Sequence, residues 1–190
     1  SPATEEAIAA AWKSIGERPA VAEQALDLDY EISVMAARNP FGEVRSFPAA
    51  RNHHENQILA WSVLPASIPA DLESKAQALA AAIIARLGIE GLLCVELFVT
   101  QQGELLVNEL APRPHNSYHQ SERGCVTSQF EQLVRTTCNL PPAALAVPGV
   151  RLHLYEKHTP RVGRKMGHLS AMGATAEEAL ERVLEAKRRL

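Results

Sequence analysis

The stretch from Gly91 to His119, GLLCVELFVTQQGELLVNELAPRPHNSYH, constrains this chain more than any other. Leu92–Val99 and Glu104–Leu110 are apolar runs of strand length, separated by Gln101-Gln102-Gly103 and preceded by Gly91, which predicts a β-hairpin. A two-residue turn at Gln102-Gly103 sets Gln101 against Glu104 and Glu96 against Glu109. A three-residue turn sets Glu96 against Asn108, with Glu109 one step away. In the first register two carboxylates share one sheet face at cross-strand distance. Like charges placed opposite each other are destabilising, and a buried carboxylate without a partner costs more. A cation between them relieves both costs. Mg2+ suits the position, because it takes hard oxygen ligands from one or two carboxylates and completes its shell with phosphates and water. The alternative is that one Glu faces solvent and the pair carries no chemistry.

Directly after the hairpin, Ala111-Pro112-Arg113-Pro114-His115-Asn116-Ser117 reads as an extended segment, since each Pro moves the residue before it away from helix. Arg113, His115 and Asn116 are therefore presented on a stiff run. The Arg113 guanidinium is a planar fork suited to an oxyanion such as phosphate or bicarbonate. A surface proline loop with an ordinary Arg is the plainer reading, and its position behind a carboxylate pair weighs against it.

Three segments, VELFVTQQGELLVNELAPRPHNS, CVTSQFEQLVR (Cys125 to Arg135) and RVGRKMGHLS (Arg161 to Ser170), closely resemble the 5-(carboxyamino)imidazole ribonucleotide synthase family. These are ATP-grasp carboxylases of purine biosynthesis, and the motifs stand in the family's order. The resemblance runs over nearly the whole chain, which looks like the second part of that enzyme. It implies an α+β fold: a partial ATP-grasp domain over residues 1–140, an antiparallel sheet with packed helices, then a small β-rich domain over 141–190. The amino-terminal domain and the glycine-rich, lysine-bearing segment that covers ATP phosphates are not recognised, so the chain alone is expected not to turn over.

Composition agrees with a globular protein. Of 190 residues, 46% are hydrophobic and 22% charged, and the net charge of −3 gives no reason to expect nucleic acid as a partner. Three cysteines (Cys94, Cys125, Cys138) lack metal-ligand spacing and read as buried free thiols of a cytoplasmic protein. No apolar run reaches the length of a membrane span, and the first residues show no signal-peptide pattern.

In chain order, Thr4 caps a first helix with an apolar stripe of Ala7, Ile8, Ala11, Trp12 and Ile15. Ala20–Ala25 reads as a short strand carrying Glu23. Tyr30–Ala37, carrying Glu31, pairs with Glu43–Ala49 across the turn Asn39-Pro40-Phe41-Gly42. Arg51–Asn56 is read as a polar loop, and Ile58–Leu64 as a strand. Two adjacent histidines, His53 and His54, lack the spacing of a transition-metal site. Asp71–Leu87 is the clearest helix, with Leu72, Ala76, Leu79, Ala80, Ile83, Ile84 and Leu87 on one stripe and Gly88 at its end. Ser128–Glu131 is a capping box opening a helix that ends near Cys138-Asn139, with Phe130, Leu133, Val134 and Thr137 as its structural face. Pro141, Pro142 and Pro148 mark a linker. RLHLYEK from Arg151 reads as a strand, and a turn follows at Pro160–Gly163. Arg151, Lys157, Arg161, Arg164 and Lys165 stand there against the single acid Glu156, a cluster suited to a phosphomonoester. Sparse aromatic residues weigh against single-strand stacking. A last capping box, Thr175–Glu178, opens a helix to Arg189.

The resemblance implies ATP-dependent carboxylation of 5-aminoimidazole ribonucleotide by bicarbonate, through carboxyphosphate. It assigns Glu96 and Glu109 to Mg2+, and Arg113, His115 and Asn116 to bicarbonate and the carboxyphosphate, with Asn116 also at the substrate. Glu23, Glu31, Asn52 and His54 go to the ATP adenosine, and Lys157 and Arg164 to the ribonucleotide phosphate. Arg51 stands where the family carries Glu, and Tyr118 where it carries Gly. A cytoplasmic homodimer with small-molecule substrates, and neither nucleic acid nor membrane as partner, completes the expectation. Two rivals are a formate-dependent glycinamide ribonucleotide transformylase, which shares PRPH but continues Asp-Thr-Gly, and a non-catalytic nucleotide- or phosphate-binding module.

Overall fold

The computed structural model describes residues 4–139, 151–154 and 167–188. Thr4 accepts from the Ala7 backbone at 3.2 Å and caps α1 (Glu5–Ser14), as expected. The stripe it was expected to bury is open: Ile8, Trp12 and Ile15 are all exposed. Residues 18–27 form no strand, which corrects the reading of Ala20–Ala25. Residues 20–25 join no strand among the described residues, and Val21 is 87% exposed, so nothing rewards an extended ladder there.

The centre of the molecule is β1 (Leu28–Arg38). Its second half pairs with β2 (Val44–Ser46) and its first half with β3 (Ala50–Glu55), both antiparallel. β4 (Ile58–Val63) then returns along β3. The expected polar loop at 51–56 is thus a strand. Asn56 and Gln57 both take positive φ (50° and 65°), the geometry of a tight hairpin turn, and this lets the polar residues before them enter the sheet. α2 (Ala70–Arg86) buries Leu72, Ala76, Ala80 and Ile84 as its periodicity predicts, while Leu87 beyond its end stays exposed.

On the far side of β1 lies β5 (Gly91–Thr100), followed by β6 (Leu105–Ala111). The main sheet has six strands in the order β4-β3-β1-β5-β6, with β2 also on β1. A 3-10 turn (Asn116–Tyr118), α3 (Ser121–Gly124) and α4 (Gln129–Thr137) follow. β7 (Arg151–Leu154) and β8 (Gly167–Ser170) form a separate two-stranded sheet, and α5 (Ala176–Arg188) ends the described chain. Antiparallel pairing throughout, with helices packed on it, is the α+β architecture expected.

Strand alternation divides the core in two. Ile32, Val34 and Ala36 of β1 and Leu93, Val95, Leu97 and Val99 of β5 face α2 in a wholly apolar cluster. Met35, Ala37, Leu92 and Cys94 face the other way, against Phe47, Ala50, Ala111 and Tyr118. Tyr118 is fully buried, its ring set edge-on to Phe47 at 5.4 Å and its hydroxyl 2.8 Å from the carbonyls of Ser33 and Pro48. It is a core residue of the second face.

The face expected for α4 holds only at Leu133, which packs against the second cluster; Phe130, Val134 and Thr137 are exposed, and the helix buries Gln129, Gln132 and Thr136. The cap itself is as read, with the Glu131 backbone N donating to Ser128 Oγ at 3.1 Å. Of the three free cysteines, Cys94 is buried, Cys125 half-buried and Cys138 exposed, so the expectation of buried thiols fails for Cys138. No helix among the described residues is long and apolar enough to cross a membrane.

Candidate active site

The hairpin that carries the paired acids combines the two registers open to it. Thr100 N donates to Glu104 O at 3.0 Å, which makes Gln101-Gln102-Gly103 a three-residue turn, with Gly103 at φ +77°. Val99 pairs with Leu105 and Leu97 with Val107, the register that leads to Asn108 opposite Glu96. A bulge between Glu96 and Leu97 then shifts the pairing by one residue and restores Glu96 opposite Glu109. Bulges re-aim side chains at the edges of sheets and beside active sites. Asn108 and Glu109 are exposed on this edge strand, and Glu96 is half-buried.

The face that is apolar between Met35 and Cys94 becomes polar two residues further on. Ser33 pairs with Glu96 across β1 and β5, and Glu31 pairs with Asn52 across β1 and β3. His54, two residues beyond Asn52, lies on the same side by alternation. Its Nδ1 is 2.7 Å from Glu31 Oε2, off the direction of a hydrogen bond. Ligating atoms of Glu31, His54 and Glu96 all lie within 4.8 Å of one another. Arg51 belongs to the opposite face, its guanidinium 4.1 Å above the Tyr30 ring.

Glu96 Oε1 accepts from His115 Nε2 at 3.0 Å. That hydrogen bond holds the Glu96 carboxyl below its ordinary range, aided by the nearby His54 and Arg113 and opposed by burial. His115 is 6% exposed, and its Nδ1 is 2.8 Å from Ser117 Oγ. Ser117 Oγ lies 2.7 Å from Ser33 Oγ, which accepts from Asn52 Nδ2 at 3.1 Å. Asn52 Oδ1 accepts from Ser62 at 3.0 Å, so its side chain is engaged within the sheet. Arg113 and Asn116 are exposed, the Arg113 guanidinium donating to its neighbour's carbonyl, Pro114 O, at 3.0 Å.

Six expected site residues are thus gathered on or beside one sheet face: Glu31, Asn52, His54, Glu96, Glu109 and His115. Arg113 and Asn116 follow directly. Glu23 stands exposed on the irregular segment before β1. Lys157 and Arg164 lie outside the described residues. Sequence reasoning missed Ser33, Ser117 and Gln129. Gln129 is fully buried and grips the His115 backbone, accepting from its N–H at 2.7 Å and donating to its carbonyl at 3.1 Å. The signal is a Gln in the first turn of a capped helix, a position that apolar periodicity does not register.

The donor set fits magnesium. Glu96, tethered by His115, and its cross-strand partner Glu109 at the open edge of the sheet would offer hard oxygen ligands, and Glu31 stands within ligating reach of Glu96.

A model of the ATP-grasp domain matches residues 3–130, and a model of the phosphoribosylaminoimidazole carboxylase C-terminal domain matches residues 116–182. The N5-carboxyaminoimidazole ribonucleotide synthase of Bacillus subtilis is 38% identical over 187 residues, covering 86% of this chain and 49% of that protein. The crystal structure of the Thermus thermophilus N5-carboxyaminoimidazole ribonucleotide synthetase superposes with a TM-score of 0.87 at 35% identity, over 98% of this chain and 57% of that one. The synthase from Aspergillus clavatus, solved with ADP and 5-aminoimidazole ribonucleotide, gives 0.86 at 26% identity, over 98% and 58%. The chain spans about half the length of the relatives it matches. With the ATP-grasp model covering two thirds of its residues and this fold beneath it, the chain belongs to the ATP-grasp family.

Proposed function

We propose that this chain carries the metal, bicarbonate and ribonucleotide-phosphate elements of an ATP-dependent carboxylase that converts 5-aminoimidazole ribonucleotide to its N5-carboxy derivative. The observation that carries the reading is the bulge-restored opposition of Glu96 and Glu109, with Glu31 and His54 beside them and Arg113 directly after. ATP phosphorylates bicarbonate to carboxyphosphate, which delivers carbon dioxide to the exocyclic amine of the ribonucleotide. Phosphoryl transfer asks a protein mainly for positioning and charge neutralisation. Glu96 and Glu109 would hold magnesium, which would supply that neutralisation at the phosphates.

The chain's own residues divide the rest. Arg113 and Asn116 orient bicarbonate and the carboxyphosphate, while His115 lies behind them against Glu96. Glu31 and His54 meet the adenosine of ATP, Asn52 shapes that wall from within the sheet, and Glu23 lies at the hinge toward the base. Lys157 and Arg164 hold the ribonucleotide phosphate. The family's resemblance further supports a cytoplasmic homodimer, divided near residue 140 into an ATP-grasp part and a small second domain.

The test is phosphate release from ATP by a polypeptide carrying this sequence, with bicarbonate and 5-aminoimidazole ribonucleotide each supplied or withheld. Release that needs both substrates and is abolished by Glu96→Gln supports the proposal. Release that is indifferent to the ribonucleotide contradicts it.

A further inference from the structure

We propose that Ser117 and Ser33 are positioning residues for Glu96. A buried line of hydroxyls fixes His115 in the tautomer that carries its proton on Nε2, and that proton holds the Glu96 carboxylate. The inference deepens the reading above and rests on Glu96 being a carboxylate of the metal site.

The direction of the line follows from one backbone group. The Ser117 N–H points at His115 Nδ1, with the nitrogens 3.4 Å apart. A backbone N–H only donates, so Nδ1 must present its lone pair. The Ser117 hydroxyl, 2.8 Å from the same nitrogen, then donates to it as well. With its proton committed, Ser117 Oγ accepts from the Ser33 hydroxyl at 2.7 Å. Ser33 Oγ in turn accepts from Asn52 Nδ2 at 3.1 Å, and the Asn52 carbonyl oxygen accepts from Ser62 at 3.0 Å. From Asn52 to His115 every proton points the same way, while the Ser62 hydroxyl beyond them lies 3.0 Å from both the Asn52 carbonyl oxygen and the Ser117 backbone carbonyl. With Nδ1 bare, the imidazole proton sits on Nε2, 3.0 Å from Glu96 Oε1.

The line is buried and anchored at both ends. Ser33 and Ser117 are fully buried and Asn52 is 5% exposed, so water does not compete for these groups. The Gln129 amide fixes the His115 backbone from α4. A histidine serving only to fill space needs no oriented hydroxyls behind it, and unpaired hydroxyls in a core are costly. Here they set one tautomer and one ring orientation. One Glu96 oxygen is thereby occupied and the other is left for a ligand. Partners standing behind a ligating group in this way commonly change metal affinity 10- to 100-fold when removed.

The test is nuclear magnetic resonance of the uniformly 15N-labelled chain, reading long-range 1H–15N correlations of the histidine rings, with His115 assigned through His115→Gln. The expected spectrum shows His115 as a single tautomer protonated on Nε2. The Ser117 backbone donor stays in both variants, but at 3.4 Å it is the weaker hold beside the 2.8 Å hydroxyl. Ser117→Ala, and separately the milder Ser33→Ala, should therefore each add a minor population protonated on Nδ1. A proton on Nδ1 in the wild type overturns the proposal, and so does a tautomer unaltered in both serine variants.

Mn2+ titration, as a probe of the metal site, separates this from the functional reading. Ser117→Ala should weaken Mn2+ binding about 10-fold. Loss on Glu96→Gln without loss on Ser117→Ala overturns the positioning role alone. Unchanged affinity in both variants overturns the metal reading, and the positioning role with it, while leaving the tautomer assignment standing.

Discussion

The two faces of the central sheet are built from the same strands and do opposite work. On the α2 side, alternate residues of β1 and β5 are Ile32, Val34, Leu93, Val95, Leu97 and Val99, all essentially inaccessible and all apolar. On the other side the positions between them run from Met35 and Cys94 to Ser33, Glu31 and Glu96 within a few residues. One face needs only volume and burial. The other needs each polar atom paired, because a half-satisfied network in a core is worse than an apolar one. The difference teaches where substitutions should reduce stability and where they should remove ligand binding.

The largest effect should come from the apolar face. Leu97→Ala should destabilise the fold by about 2–5 kcal/mol, the range for Leu truncation in a tight core. Urea unfolding measures it, and magnesium–nucleotide affinity below the transition should be unchanged. A lost affinity with intact stability would dissolve the division between the faces.

A smaller effect is expected where the second face is still structural. Tyr118→Phe removes a hydroxyl that sits 2.8 Å from the carbonyls of Ser33 and Pro48, leaving buried acceptors unpaired. The cost should be about 1–3 kcal/mol, again by urea unfolding. No change would mean that packing alone holds this residue.

The thiols sharpen the same contrast without altering the fold. Burial pushes the Cys94 thiol up to about 12 and that of Cys125 up to about 11, whereas Cys138 is exposed. Alkylation of the native chain near pH 8 should therefore modify Cys138 first, Cys125 slowly and Cys94 last, as read by mass spectrometry of peptides. The sign for stability follows. Above the ordinary thiol range the folded state keeps protons that the unfolded chain releases, so stability should fall as pH rises towards the folded values. The raised Tyr118 hydroxyl acts in the same direction.

Much of this was legible in the sequence for physical reasons. α2 was readable because its apolar period is unbroken, and the β5–β6 hairpin because two apolar runs flank a Gly-bounded turn. The pairing of Glu96 with Glu109 was readable as one of two registers. The bulge that achieves it depends on how a three-residue turn and the sheet twist are reconciled, which is a tertiary matter. β3 was misread because polar residues on the site face look like a loop when the other face of the strand is unknown. Residues 20–25 were misread in the opposite sense, since an apolar run predicts a strand only where a neighbour exists to pair with it. Ser33, Ser117 and Gln129 were missed because small or neutral polar residues become informative only through the groups they meet, eighty-four positions apart for the two serines.

The central claim is that ligand binding belongs to the polar end of the second face. It is tested most directly by calorimetric titration of magnesium–ADP into a polypeptide carrying this sequence, with Glu109→Gln beside it. Glu109 is exposed at the sheet edge, so its amide variant should unfold at the same urea concentration as the wild type. This variant should keep its stability and lose magnesium-dependent nucleotide binding. Unchanged affinity in Glu109→Gln would contradict it.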